Sequence, residues 1–219
     1  MGEEIDLLRN YPKSKRDIGA RLISKSEKSR NLARKFGVDY FDGDRNSGYG
    51  GYYYNEKYWK NVIPDIISRY RLDQNSKVLD VGCAKGFLLH DLKKAIPGMT
   101  IRGIDISEYA ISNSLQDVRA DLKIANATSL PFPDNFFDLV ISINTVHNLS
   151  VSDCGTALTE IERVSKGSSF ITVDAYNTEN EKERMEAWNL TALTMMSCQE
   201  WKIFFDNVGY TGDYFWFIP

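Results

Sequence analysis

The residues best suited to chemistry sit where an apolar run, Lys77-Val-Leu-Asp-Val81, breaks into Gly82-Cys83-Ala84-Lys85-Gly86. The apolar run, the glycine turn, and Phe87, Leu88, Leu92 and Ile96 at helical spacing beyond it read as strand, turn and helix. Such turns often hold phosphate, but two phosphate motifs are excluded here. A P-loop needs Gly-Lys followed by Ser or Thr, whereas Lys85 precedes Gly86 and Phe87 follows. A dinucleotide fingerprint needs G-x-G-x-x-G, whereas Gly82 and Gly86 are separated by three residues. Asp80 strengthens the exclusion, because a carboxylate two residues before the turn repels a pyrophosphate. The same carboxylate favours a ligand with a cationic amine and no phosphate. S-adenosylmethionine, which bears an ammonium and a sulfonium, has that chemistry, and small residues at Gly82, Ala84 and Gly86 allow it close to the backbone.

Asp105 stands 25 residues after Asp80, at the end of a second apolar run, Thr100–Ile104. A carboxylate there accepts both hydroxyls of a ribose in nucleotide-binding sheets. The competing reading is a strand-end turn before a helix cap at Ser107. Asn126 follows a third short run, Leu122–Ala125, where a polar side chain reaches an adenine edge; taken alone, it is equally a turn residue.

These residues need a parallel sheet to bring them together. The runs 77–81, 100–104, 122–125, 137–143 and 169–174 read as strands, separated by helix-like stretches that include Ala110, Ile111, Leu115 and Val118, and Ala157, Leu158, Ile161 and Val164. Residues 137–143 are almost continuously apolar, as in a strand buried on both faces. Residues 177–198 form an acidic and then apolar insertion. A helix over 200–208 and a strand over 210–217 close the chain. The chain divides into an N-terminal helical and Tyr/Gly-rich extension or lid, residues 1–59, and an α/β domain, residues 60–219.

Composition narrows the function classes. With 219 residues, 42% hydrophobic and 26% charged, the chain suits one folded domain with an extension. No apolar run approaches membrane-spanning length. The start of the chain lacks the apolar core of a signal peptide and the motif for myristoylation. Cys83, Cys154 and Cys198 are too few and too scattered for a disulfide framework or a zinc site, so a reduced, cytoplasmic, metal-free protein is expected. Residues 1–37 hold ten basic against five acidic side chains, and the remainder 17 against 25. The basic arm reads as a solvated helical face or a contact for an anionic partner. The acidic body argues against nucleic acid, whose affinity comes from phosphate neutralisation.

The segments VLDVGCAKG, IRGIDISEYAI, ANATSLPFPDNFFDLVISINTVHNL and EIERV together resemble the class I S-adenosylmethionine-dependent methyltransferases, over about residues 75–175. The resemblance implies a Rossmann-like, doubly wound, mainly parallel sheet of seven strands that ends in an antiparallel hairpin. Five parallel strands and one C-terminal strand are legible, so a seventh is missing or disguised. It also implies S-adenosyl-L-methionine as cofactor, with Asp80, Gly82 and Gly86 matching the family's acidic-glycine motif and Ala84 replacing its middle glycine. Asp105 matches the ribose-binding acid. Asn126 stands where the family usually has an Asp beside adenine. Cys83, Ile106, Ala127 and Asn144 complete the implied cofactor contacts.

The exit of the fourth strand, Ser142 to Asn148, faces the methyl acceptor in the resembling enzymes, and Asn144 and His147 are the catalytic candidates there. His147 has the pKa range of a general base, and equally that of a structural histidine bonded to a loop carbonyl. His90 reads as structural. The Asn/Asp-Pro-Pro-Tyr/Phe signature of amine-methylating nucleobase enzymes is missing, which argues against a nucleobase acceptor. Six of the twelve tyrosines fall between residues 40 and 58 beside four glycines, a composition suited to a mobile lid. Tyr49 and Tyr53, with His147 and Asn148, are the candidate acceptor contacts, and Trp188, Leu190, Thr191, Met195 and Met196 shape the pocket or simply pack. The expected activity is methyl transfer to an oxygen or nitrogen of a small polar molecule such as a sugar or a cell-surface precursor. The alternatives are a protein or RNA methyltransferase that uses the basic arm, and a non-catalytic cofactor-binding scaffold.

Overall fold

The computed structural model describes residues 2–12 and 26–218. Within the basic N-terminal segment, Leu22 and Ile23 lie outside the described residues, and a helix α1 spans Glu27–Ala33, capped by the Ser26 hydroxyl on the Ser29 amide. Two helices follow, α2 (Val38–Phe41) and α3 (Ile63–Tyr70). Strands and helices then alternate: β1 (Lys77–Val81), α4 (Phe87–Ala95), β2 (Thr100–Asp105), α5 (Glu108–Ser112), β3 (Leu122–Ile124), β4 (Leu139–Ile143), α6 (Val151–Val164), β5 (Ser169–Tyr176), α7 (Glu179–Trp188), β6 (Met196–Ser197), α8 (Cys198–Val208) and β7 (Asp213–Phe217). No helix among the described residues is long and apolar enough to cross a membrane.

The strands form one parallel sheet in the order β3-β2-β1-β4-β5, with β6 paired to the end of β5 and β7 to its body. This is a Rossmann-like α/β fold. Alternation along the pleat sends Leu79, Val81, Val140, Ile171 and Val173 into a core with Leu158 and Ile161 of α6 and Trp201 and Phe205 of α8. Val78, Leu139, Ile141 and Phe170 face the other way, onto Ile63 and Ile66 of α3 and Leu88, Leu89 and Leu92 of α4. Each buried aliphatic side chain contributes about 1.5–3 kcal/mol, and burial on both faces explains the unbroken apolar character of β4. Strand order reverses between β1 and β4, which opens a crevice beyond their carboxyl ends.

Two expectations are corrected. The implied antiparallel hairpin is not formed: β7 lies directly on β5 in parallel, with Phe170 opposite Asp213 and Asp174 opposite Phe217. The disguised strand is β6, only two residues long, too short for an alternating pattern to mark it. Beyond β7, the N-terminal segment adds a parallel bridge, with Ile5 N–H on the Tyr214 carbonyl (2.9 Å) and Tyr214 N–H on the Glu3 carbonyl (3.0 Å). The helix after β2 is also shorter than its apolar spacing suggests. Asn113 Nδ2 donates to the Tyr109 carbonyl and Ser114 Oγ to that of Ile111, so side chains satisfy the backbone where the helix would continue.

Gly103 of β2 sets how closely the glycine turn seats on the sheet. A Cβ there would lie 2.6 Å from Leu122 Cδ2 and 2.8 Å from both Cys83 Sγ and Leu89 Cδ1. Gly103→Ala is therefore expected to destabilise the fold by about 1–3 kcal/mol, read from the midpoint of urea unfolding; an unchanged midpoint would show that the turn has room to shift.

Candidate cofactor and acceptor site

Two carboxylates meet at the reversal point. Asp80, the penultimate residue of β1, has 4% of its surface exposed, and no hydrogen bond reaches its carboxylate among the described residues. Burial, with the nearby charge of Asp105 adding to it, pushes its pKa up to about 8. Asp105 ends the neighbouring β2. Burial raises its pKa too, against the pull of backbone N–H groups, since its Oδ2 accepts from Ala84 (2.8 Å) and its Oδ1 from Ser107 (2.8 Å). Each Asp105 oxygen retains lone-pair capacity for a ribose hydroxyl. A buried, unpaired acid such as Asp80 is costly unless a cation completes it, and the ammonium group of S-adenosylmethionine supplies one. The residues present therefore fit that cofactor.

The turn between them is fixed by contacts across the crevice. Gly82 has φ +86°, and a Cβ on it would lie 2.1 Å from Thr145 Oγ1, so only glycine lets the turn meet the β4 exit. The amides of Gly82 and Cys83 both donate to the Ile104 carbonyl (2.8 and 2.9 Å). The Cys83 thiol packs in the core, and burial raises its pKa. Gly86 caps α4, and a side chain there would strike Val118 and Leu122, so its smallness serves packing. Ala84 takes the middle-glycine position with φ +48°. Ile106 is 57% exposed directly after Asp105, an apolar surface at the edge of the crevice. Asn126 is exposed, with its Oδ1 accepting from the Thr128 amide (3.0 Å) in an Asx turn, while Ala127 is buried with Leu130 and Phe137.

The Tyr/Gly segment folds over this turn. Lys85, 4% exposed, donates to Asp42 Oδ2 (2.6 Å) and to the Tyr52 carbonyl (2.9 Å). Asp42 also accepts from the Tyr52 amide (2.9 Å) and the Tyr109 hydroxyl (2.7 Å). Burial works against its charge, but these hydrogen bonds outweigh it and hold the carboxyl below its ordinary pKa. The Ser107 hydroxyl donates to the Phe36 carbonyl, a second tie between the segment and α5. Tyr52 stacks on Phe87 of α4, with ring centroids 4.9 Å apart. Its phenol is pushed far above its usual pKa, chiefly by burial, with Tyr49, Tyr11, Asp80 and Asp105 adding to the shift. Tyr49 packs on Tyr52 at 4.5 Å, and Tyr53 is 73% exposed.

At the β4 exit, Asn144 adopts φ +51°, and its Oδ1 accepts from the Thr172 hydroxyl (2.9 Å). His147 is 3% exposed. Its Nδ1 accepts from the Asp174 amide (3.2 Å), and its Nε2 stands 3.7 Å from Asp174 Oδ2. Burial lowers its pKa, with Asp174 opposing, and the ring is neutral at pH 7. The His147 carbonyl accepts from the Leu193 and Thr194 amides, while Asn189 bonds Asp174 and also receives the Thr191 and Ala192 amides. The imidazole thus ties the β4 exit to β5 and to the segment after α7, a positioning arrangement. His90 pairs with Asp117 on the outer side of α4 (2.8 Å). Lys85, Asp42 and Tyr52 carry the closure, and sequence reasoning passed over all three. A lysine inside a turn of small residues was the available signal for one of them.

Two outcomes follow from the carboxylates. The native state holds a proton on Asp80 that the unfolded chain releases, so stability falls as pH rises from about 4 to about 8; Asp80→Asn should flatten that part of the melting-temperature profile, and an unaltered slope would remove Asp80 as its source. Asp105→Ala should weaken S-adenosylhomocysteine binding at least tenfold, about 1.4 kcal/mol, by calorimetry; an unchanged dissociation constant would remove Asp105 from the ribose position.

Comparison with known proteins identifies the family of the chain. Residues 72–209 match the model of a methyltransferase domain family. Over 126 residues the chain is 32% identical to the demethylmenaquinone methyltransferase of Symbiobacterium thermophilum, covering 53% of this chain and 49% of that protein. Over 89 residues it is 38% identical to the mitochondrial arginine-hydroxylase NDUFAF5 of Rattus norvegicus, covering 40% of this chain and 25% of that one. The chain thus spans half or less of the length of these relatives. The phosphoethanolamine N-methyltransferase 2 of Haemonchus contortus, solved with S-adenosylhomocysteine, shares the fold, with a TM-score of 0.58 at 17% identity over 81% of this chain and 44% of that one. With residues 72–209 matched, the chain belongs to the methyltransferase domain family.

Proposed function

We propose that the acceptor is a small polar molecule, methylated on an oxygen or nitrogen beneath the segment 36–54, with sugars and cell-surface precursors the first candidates. The observation that carries this reading is the closure of that segment onto the glycine turn through Lys85 and Asp42. A segment bonded across the crevice suits an acceptor small enough to be enclosed rather than a polymer threaded past it. One basic side chain of the N-terminal arm, Arg30, is spent internally on the Glu186 carbonyl (2.8 Å), which leaves less of the arm for a nucleic acid or protein partner.

In this reading Asp80 binds the ammonium group, Asp105 the ribose hydroxyls, Ile106 one face of the adenine, and Asn126 its edge. S-adenosylmethionine supplies the electrophilic methyl carbon, and the chain supplies alignment, for which in-line geometry is the main requirement. The phenols of Tyr40 and Tyr52 are both raised far above their ordinary pKa, chiefly by burial, so they remain protonated and orient the acceptor as hydrogen-bond donors. Asn144 and Asn148 border the same exit, and His147 holds it in shape.

The test is transfer of a tritiated methyl group from S-adenosylmethionine to a low-molecular-mass metabolite extract, to a total-protein fraction and to a total-RNA fraction. Label in the metabolite extract is expected. Label in protein or RNA alone would overturn the small-molecule reading in favour of a polymer acceptor.

A further inference from the structure

Segment 189–194 brings together polar groups that the cofactor does not use. Arg34, at the C-terminal cap of α1, reaches this segment, and the Tyr40 hydroxyl interacts with Thr191 and Tyr49. Asn148 lies between His147, whose carbonyl receives the Leu193 and Thr194 amides, and Leu149, whose carbonyl receives the Thr194 hydroxyl (2.8 Å). Two polar atoms in this cluster are buried without a hydrogen-bond partner among the described residues, Arg34 Nε and Asn148 Oδ1. Among the described residues the guanidinium makes one hydrogen bond, to a carbonyl at 3.5 Å, and no carboxylate lies within 4.0 Å of it. Lys85, the buried basic side chain of the glycine turn, has a carboxylate partner.

A half-buried guanidinium whose Nε has no partner among the described residues is costly, and the cost is recovered when an anion completes it. The planar guanidinium suits an oxyanion, which it can bind through Nε and one Nη. Asn148 Oδ1, an acceptor, needs a hydroxyl or N–H donor. We propose that Arg34 and Asn148 line the acceptor site and select a small molecule that carries a carboxylate or phosphate group together with a hydroxyl or amine. This rests on the small-molecule reading above and narrows it to anionic acceptors. Arg34 anchors the acid group, and Asn148 receives the donor.

The experiment follows the Arg34 Nε–H resonance in isotopically labelled protein saturated with S-adenosylhomocysteine. The resonance is assigned by its loss in Arg34→Gln, and that variant's fold is checked by its melting temperature. Inorganic phosphate and sodium acetate are titrated separately, with sodium chloride at matched ionic strength as the reference. A saturable shift with phosphate, with acetate or with both is expected, and the stronger of the two names the acid group. Asn148→Asp, which adds a negative charge beside the same space with Arg34 intact, should weaken that binding at least tenfold. No saturable shift with either anion would overturn the proposal and leave Arg34 as a tether between α1 and the 189–194 segment. Failure here is separable from failure of the small-molecule reading, which is decided by the fraction that takes up the label.

Discussion

Two acids held out of water at the ends of neighbouring strands set the terms on which this chain works. Asp80 and Asp105 lie on adjacent parallel strands, each buried and each within the other's field, so ionising one makes ionising the other harder. The chain settles this unequally. Asp105 receives two backbone amides, one from the turn and one from the start of α5, whereas Asp80 receives none among the described residues. The asymmetry leaves Asp105 shaped for neutral hydroxyl donors and Asp80 for a cation. In the proposed reading, recognition of the cofactor rests on this division between the two acids.

The rest of the fold holds that pair in place and covers it. The β1–β4 reversal opens the crevice, Gly82 lets the turn touch Thr145, and Ser142 Oγ ties β4 back to the Val81 carbonyl (2.9 Å). Over this lies the Tyr/Gly segment, bonded down by a lysine that belongs to the turn itself. A buried ion pair of this kind adds little net stability, because desolvation offsets most of the attraction, but it defines one seated position of the segment. Covering and binding are thereby joined in one short stretch, with Ala84 donating to Asp105 and Lys85 holding Asp42.

Much of this was legible in the sequence. The apolar runs of β1, β2, β4 and β5 are marked by length and burial on both faces, and the spacing of Asp80, Gly82 and Asp105 puts these residues at the carboxyl ends of β1 and β2, where the structure has them. What escaped was set by long-range contacts. β6 is two residues long and exists only because β5 offers a partner. The Lys85–Asp42 pair joins residues 43 apart in sequence, and nothing local to either predicts the other. Tyr49 and Tyr53 were drawn from a run of six tyrosines in which composition alone cannot tell an inward ring from an outward one; the structure turns Tyr52 inward and leaves Tyr53 in solvent. His147 has the residue type of a base, but its neighbours Asp174 and Asn189 come from other elements.

The most direct test of the central claim is to count the protons released when S-adenosylhomocysteine binds. Calorimetric titrations at neutral pH in two buffers of different ionisation enthalpy give that number. A carboxyl raised to about 8 by burial is mostly protonated in the free protein and must give up its proton to pair with an ammonium group. The account predicts release of most of one proton per site, abolished in Asp80→Asn. Tight binding with no difference between the buffers would contradict it, and would mean that Asp80 is already ionised or does not meet the ligand's amine.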